Sequence, residues 1–138
     1  MNKPLVSVII VNWNGRHFLD DCLNSLSKIT YKKKEILFVD NASTDDSVLY
    51  VKKYFPHIKI ITNAKNLGFA EGNDIGFKES KGEAILLLNT DTIIEKNLLD
   101  ELILALYERK DIGAVQPKVL LYPKKDLIDS IGSFFIWD

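Results

Sequence analysis

The chain has 138 residues, 46% of them hydrophobic and 27% charged, which fits one domain with a buried core and excludes a disordered or fibrous protein. A formal net charge of −1 supplies no global positive field for a polyanion, so nucleic acid is not an expected partner. The single cysteine, Cys22, rules out an internal disulfide; among Phe18, Leu19, Leu23 and Leu26 it reads as a buried thiol in a reducing compartment.

Leu5 to Val11 is the first apolar run, a strand too short to span a bilayer and without a cleavage-site pattern. A cytoplasmic protein is expected, with a peripheral position at the membrane as the variant and no transmembrane segment. Phe18 to Ser27 follows with apolar residues at helical spacing, and Lys32-Lys33-Lys34 reads as a solvated loop beyond the negative end of that helix. Glu35 to Val39 is the second strand. A helix from Asp45 to Phe55 begins after Ser43-Thr44 and stops before Pro56. Ile58 to Thr62, a short helix over Asn73 to Ser80, a strand over Ala84 to Leu88, a helix over Leu98 to Tyr107 and a strand over Ala114 to Val119 complete the series. Strands that are apolar throughout, alternating with helices, call for a mostly parallel sheet covered on both faces: an α/β, Rossmann-like fold.

The whole of 1–138 reads as one domain, with 117–138 a distinct tail. Val119 to Tyr122 and Ile128 to Trp137 look like strand material, and the tail ends on the apolar Phe134-Phe135-Ile136-Trp137. Such an ending predicts a chain cut from a longer one that continues into an acceptor region, or a surface that self-associates into a homo-oligomer.

In an open parallel sheet, ligands bind beyond the carboxyl ends of the strands. Four of those ends are polar: Asn12-Trp13-Asn14-Gly15, Asp40-Asn41-Ala42-Ser43-Thr44-Asp45-Asp46, Asn66-Leu67-Gly68-Phe69-Ala70-Glu71-Gly72-Asn73-Asp74, and Asn89-Thr90-Asp91-Thr92. With the apolar residues before them they form the ordered motifs Val-Ile-Ile-Val-Asn-Trp-Asn-Gly, Val-Asp-Asn-Ala-Ser-Thr-Asp, Asn-Leu-Gly-Phe-Ala-Glu-Gly-Asn and Leu-Leu-Asn-Thr-Asp. Across essentially its entire length the chain resembles family 2 glycosyltransferases, particularly the rhamnosyltransferase-like branch. The resemblance implies a type-A glycosyltransferase fold and inverting transfer from a UDP- or dTDP-sugar to a hydroxyl of a saccharide or lipid-linked acceptor, as in cell-surface polysaccharide synthesis.

The chemistry of individual residues suits that implication. A carboxylate at Asp40 can accept the imide N–H of uracil or thymine, and the family places its base-binding aspartate there; the alternative is that Asp40 caps the helix starting near Thr44. Trp13 stands where the family has an aromatic residue beside the nucleobase, free to stack or else to pack inward. Asn12 and Asn14 read as loop residues, with the main chain at Val11 and Asn12 touching the base. Gly68 and Gly72, ahead of a short helix, permit close approach of backbone N–H groups to a diphosphate or ribose, with Asn73 as a polar contact. Asp45 and Asp46 read as caps, and His17 and His57 as surface residues.

Asn89-Thr90-Asp91 occupies the position of the family's Asp-any-Asp signature. The resemblance implies a bound Mg²⁺ or Mn²⁺, with Asp91 as its ligand and Asn89 supplying a neutral oxygen in place of the first aspartate. The alternative is a helix cap. Inversion also needs a general base, yet only Asp126, Asp129 and Asp138 lie well beyond this motif and none matches it, so no catalytic base is assigned. A dinucleotide oxidoreductase would need three glycines after the first strand, where Asn14-Gly15-Arg16 offers one. A phosphoacceptor domain would need an acidic pair where Asn12-Trp13-Asn14 stands. The remaining rival is a nucleotide-sugar-binding or interaction module without turnover.

Overall fold

A computed structural model describes residues 3–124 and 126–131. Two compact units divide the chain, one over Met1–Lys96 and one over Asn97–Asp138.

The first unit alternates strands and helices: β1 (Val6–Asn12), α1 (Arg16–Ser27), β2 (Lys34–Asp40), α2 (Ser47–Tyr54), β3 (Lys59–Thr62), α3 (Gly68–Lys78) and β4 (Ala84–Leu87). All four strands run parallel in the order β3-β2-β1-β4. The central strand explains why its sequence does not alternate. Ile9 joins Leu37 and Val39 in a fully buried cluster, against which Val11, Ile61, Ile75 and Ile85 pack. Pleating turns Val6, Val8 and Ile10 to the opposite face, and they too are buried, as are Leu19, Cys22, Leu23 and Leu26 of α1. Both faces of β1 are therefore dry, as a parallel strand covered by helices requires.

Helix α3 starts at Gly68 and not at Asn73, so both glycines expected ahead of the helix lie inside it. Close packing accounts for Gly72 and Gly76, not for Gly68, which has open space around it. A Cβ at Gly72 would come within 2.7 Å of Val11 Cγ1, and one at Gly76 within 2.4 Å of Ile9 Cγ2. Bare glycine surface lets α3 lie on β1 and β2. Helix α2 begins at Ser47, two residues after the expected start. At the opposite end of the sheet, the Ser7 hydroxyl donates to Glu35 Oε1 while accepting from Gly82 N at 2.8 Å, and Lys81 N also donates to Glu35. One carboxylate thus ties β1, β2 and the α3–β4 turn. Those bonds hold the Glu35 carboxyl below its ordinary range even though burial opposes them.

The second unit holds α4 (Leu98–Leu106) and an antiparallel pair, β5 (Val119–Leu120) with β6 (Ile128–Ser130). The expected strand over Ala114 to Val119 is thus corrected to two residues outside the parallel sheet. Pro117, lacking an N–H, interrupts the run. The apolar ending from Phe134 to Trp137, and Asp138, lie outside the described residues. No helix among the described residues is long and apolar enough to cross a membrane.

Candidate functional site

Strand order reverses direction about β1: β2 leads away on one side and β4 on the other. Loops leaving two such strands diverge to opposite faces and open a crevice at their carboxyl ends. A cleft of about 370 Å³ lies there, lined by Val11, Phe18, Phe69, Asn89, Thr90 and Asp91.

Parallel register brings Asn12 beside Asp40. Asn12 is therefore the last residue of β1 and almost fully buried, correcting its expected place in a loop. Its Nδ2 donates to Asp40 Oδ1 and to Ser43 Oγ, both at 3.0 Å. Asp40 Oδ2 accepts from Ser43 N at 2.9 Å. The carboxylate, only 2% exposed, thus holds its own loop in a turn, and each oxygen keeps a second lone pair. Asn12 Oδ1 has no partner among the described residues, and the missing side chain of Gly15 leaves it room, since a Cβ there would lie 2.5 Å away.

The loops after β1 and β2 are cross-linked. Asn14, at φ 52°, donates its N–H to Ser43 Oγ at 2.9 Å and accepts from Thr44 N at 2.8 Å. Asp45 accepts from Arg16 N and from Ser47 N, each at 3.0 Å, so one carboxylate serves the positive ends of both α1 and α2. Burial opposes its ionisation, but the hydrogen bonds from Ser47 and the Arg16 amide hold it below the usual carboxylate range. Asp46 occupies the cap position without a side-chain bond. Trp13 is 60% exposed, leaving its ring faces available.

Gly68 takes φ +80°, a conformation glycine adopts at little cost. Asn73 is buried and donates to Phe69 O at 2.9 Å within its own helix. Past β4, the Asn89 carbonyl accepts from the Thr92 hydroxyl at 2.7 Å and lies 3.7 Å from Cys22 Sγ. Asn89 and Asp91 remain exposed on the cleft wall. Burial, opposed by the Thr92 hydroxyl and reinforced by the Asp91 charge, pushes the Cys22 thiol up to about 11; it is an inert packing group. His17 rests on Phe18, ring centroids 3.9 Å apart.

Val11, Asn89 and Asp91 thus share one cleft with Phe69, the neighbour of Gly68, while Asn12 and Asp40 form a buried pair at the adjoining strand ends. Phe18, Asn41 and Asn63 went unassigned by the sequence reading. Phe18 carries only a helical apolar signal. Asn41 sits in the second motif without a chemistry that distinguishes it, and Asn63 lies outside all four motifs.

The model of the family "Glycosyl transferase family 2" matches residues 7–129. Among curated proteins, an uncharacterized glycosyltransferase of Haemophilus influenzae is 30% identical over 117 residues, 83% of this chain and 36% of that protein. Streptococcus pneumoniae glycosyltransferase GlyG is 26% identical over 138 residues, 98% of this chain and 44% of its own length. The chain therefore spans less than half the length of these relatives. Among solved structures, Staphylococcus aureus TarS 1-349 superimposes with a TM-score of 0.69 at 28% identity, covering 75% of this chain and 32% of that one. The same protein in complex with UDP gives 0.69 at 25% identity, over 86% and 42%. A Pyrobaculum calidifontis mannosyltransferase in complex with GDP-Man and Mn²⁺ shares the fold, with a TM-score of 0.67 at 21% identity over 72% of this chain and 31% of that one.

Proposed function

Because the chain belongs to glycosyltransferase family 2, we propose that it binds a nucleoside diphosphate sugar in the cleft beyond β1 and β4, as the donor-binding part of an inverting glycosyltransferase. The observation that carries this reading is the convergence of Val11, Phe69, Asn89 and Asp91 on the one crevice that the strand order opens. The TarS complexes with UDP and with UDP-GlcNAc support a uridine nucleotide as the first ligand to try.

In this reading Trp13 stacks on the base, the backbone at Val11 and Asn12 touches its edge, and a free lone pair of Asp40 takes the imide N–H. The amino end of α3 at Gly68 faces the ribose and diphosphate, with Asn73 holding the first turn of that helix in shape. Asp91 and Asn89 fit a Mg²⁺ or Mn²⁺ ion by donor chemistry, since both offer hard oxygens on the cleft wall. Among the described residues no three acidic, histidine or cysteine side chains are grouped so as to hold a metal ion, so in this reading the donor's diphosphate and water complete the coordination. When bound, the cation neutralises charge on the departing nucleoside diphosphate. The acceptor is a saccharide or lipid-linked hydroxyl. The buried free thiol of Cys22 suits the cytoplasm, where thiols stay reduced.

Calorimetry with UDP and dTDP, with and without Mn²⁺, tests the assignment. Asp40→Ala should weaken nucleotide binding even without metal, whereas Asp91→Ala should remove only the metal-dependent increment. Loss of the same increment by both variants, or no binding by the parent chain at millimolar nucleotide, overturns it. The rival is a donor-binding module without turnover. Sugar transfer from a labelled nucleotide sugar to any member of an acceptor panel excludes that rival.

A further inference from the structure

Asn41 is 1% exposed, and its N–H and both polar atoms of its side chain are hydrogen-bonded. Its backbone N–H donates to Asn12 O at 2.8 Å. Its Oδ1 accepts from Asn63 Nδ2 at 2.8 Å, and its Nδ2 donates to Gly68 O at 2.9 Å. Asn63 is itself anchored, its N–H donating to Asp40 O at 2.8 Å. Asn41 therefore ties the end of β2 to that of β1 by its main chain, and by its amide side chain to the residue after β3 and to the first residue of α3. Gly68 is the residue at φ +80°, and the next residue, Phe69, forms a wall of the cleft that Asp91 lines from the other side. The Phe69 carbonyl is held in turn by Asn73. The first two carbonyls of α3 are thus clamped from outside and inside the helix, and only the outer clamp reaches the sheet.

We infer that Asn41 is a positioning residue for the donor site: through Gly68 it sets where Phe69 and the amino end of α3 stand against the cleft. This rests on the reading of that cleft as the donor site. The role requires a side chain that accepts from Asn63 and donates to Gly68 at once. An amide does both; a carboxylate can only accept and would face the Gly68 carbonyl oxygen with an oxygen of its own. A protonated carboxyl again does both. Of the charged groups of the loop, Asp40 turns its oxygens to Asn12 and Ser43, Asp45 turns its oxygens to the Arg16 and Ser47 amides and Asp46 stands at the start of α2; the groups that meet the Asn41 side chain from beyond β3 and from α3 are Asn63, Gly68 and Gly72, none of which titrates.

Asn41→Asp is nearly isosteric and provides the test. In the full chain, UDP and dTDP affinities in the presence of Mn²⁺ are measured for parent and variant from pH 8 to pH 5, together with the amide chemical shifts of Gly68 and Phe69. A lost, reversed hydrogen bond predicts about tenfold weaker nucleotide binding at pH 8. The ratio of variant to parent affinity should return toward one as the pH falls and the new carboxyl protonates. The Gly68 and Phe69 shifts should titrate at the same midpoint in the free variant and stay flat in the parent. A merely structural role would lower the stability of the variant in urea and leave the affinity of its folded chain equal to the parent's at pH 8. Equal affinities at pH 8, or a loss that acid does not recover, overturn the inference, as do Gly68 and Phe69 shifts that fail to titrate. A parent chain that binds neither nucleotide overturns the donor-site reading itself, and with it the link between Asn41 and affinity, even where the shifts titrate.

Discussion

Gly76→Ala sets two general effects against each other at a site where the structure decides the winner. Alanine in place of glycine inside a helix favours folding by about 1 kcal/mol. Here the new methyl would lie 2.4 Å from Ile9 Cγ2 and 3.3 Å from Ile9 Cγ1 and Cδ1. Ordinary contact begins near 3.4 Å, so α3 or β1 must move by roughly 1 Å, in a densely packed interior. Ile9 is fully buried in the central strand among Leu37 and Val39, and cannot swing aside into solvent. Overpacking of this kind costs about 1–3 kcal/mol, leaving a net loss near 1 kcal/mol and a fall in Tm of roughly 3–5 °C. Urea and thermal unfolding measure it, with Gly113→Ala as the control: no atom lies within 4 Å of that Cβ, so stability should hold or rise by up to about 1 kcal/mol. A Gly76→Ala chain as stable as its parent would refute the close-packing account of α3.

Gly82→Ala should destabilise more, because its Cβ would meet Ser7 N at 2.5 Å and Ala84 O at 2.8 Å, backbone atoms with no rotamer to escape into; circular dichroism melts report it. Glu35 has a folded pKa below its unfolded one, so its contribution to stability is present above the unfolded value and disappears as pH falls through the folded one. Glu35→Gln should therefore narrow the gap to its parent as the solution is acidified, and a constant gap in urea midpoints between pH 7 and pH 3 would contradict this. Cys22, with its thiol pushed up to about 11, should react with iodoacetamide at neutral pH far more slowly in the native chain than in urea, which mass spectrometry resolves.

The four parallel strands were legible because β1 and β2 are apolar without alternation, a pattern that only two-sided burial explains. The location of the crevice followed from the polar residues that end each strand. What remained hidden was tertiary in origin. Gly68 and Gly72 read as loop because glycine usually ends or precedes a helix; only the approach of Val11 to Gly72 and of Ile9 to Gly76 shows why α3 needs glycine there, while Gly68 serves a backbone at φ +80°. Asn12 read as loop because nothing local reveals that Asp40 stands beside it in register. The Ala114 to Val119 run had strand composition, but Pro117 and the want of a parallel partner confined pairing to Val119 and Leu120.

The placement of β1 has a consequence for how the chain is made. Its partner on one side, β4, begins at Ala84, which pairs with Val6 some 78 positions earlier. At about 5–20 residues per second, roughly 4–16 seconds pass during synthesis between the two. Through that interval the Val8-Ile9-Ile10-Val11 run has an open hydrogen-bonding edge, the kind of surface on which nascent chains pair with one another. Substitutions that slow the docking of β4, such as those at Gly82 or Ser7, will therefore be felt first in the yield of soluble protein, before any change in what the finished molecule binds.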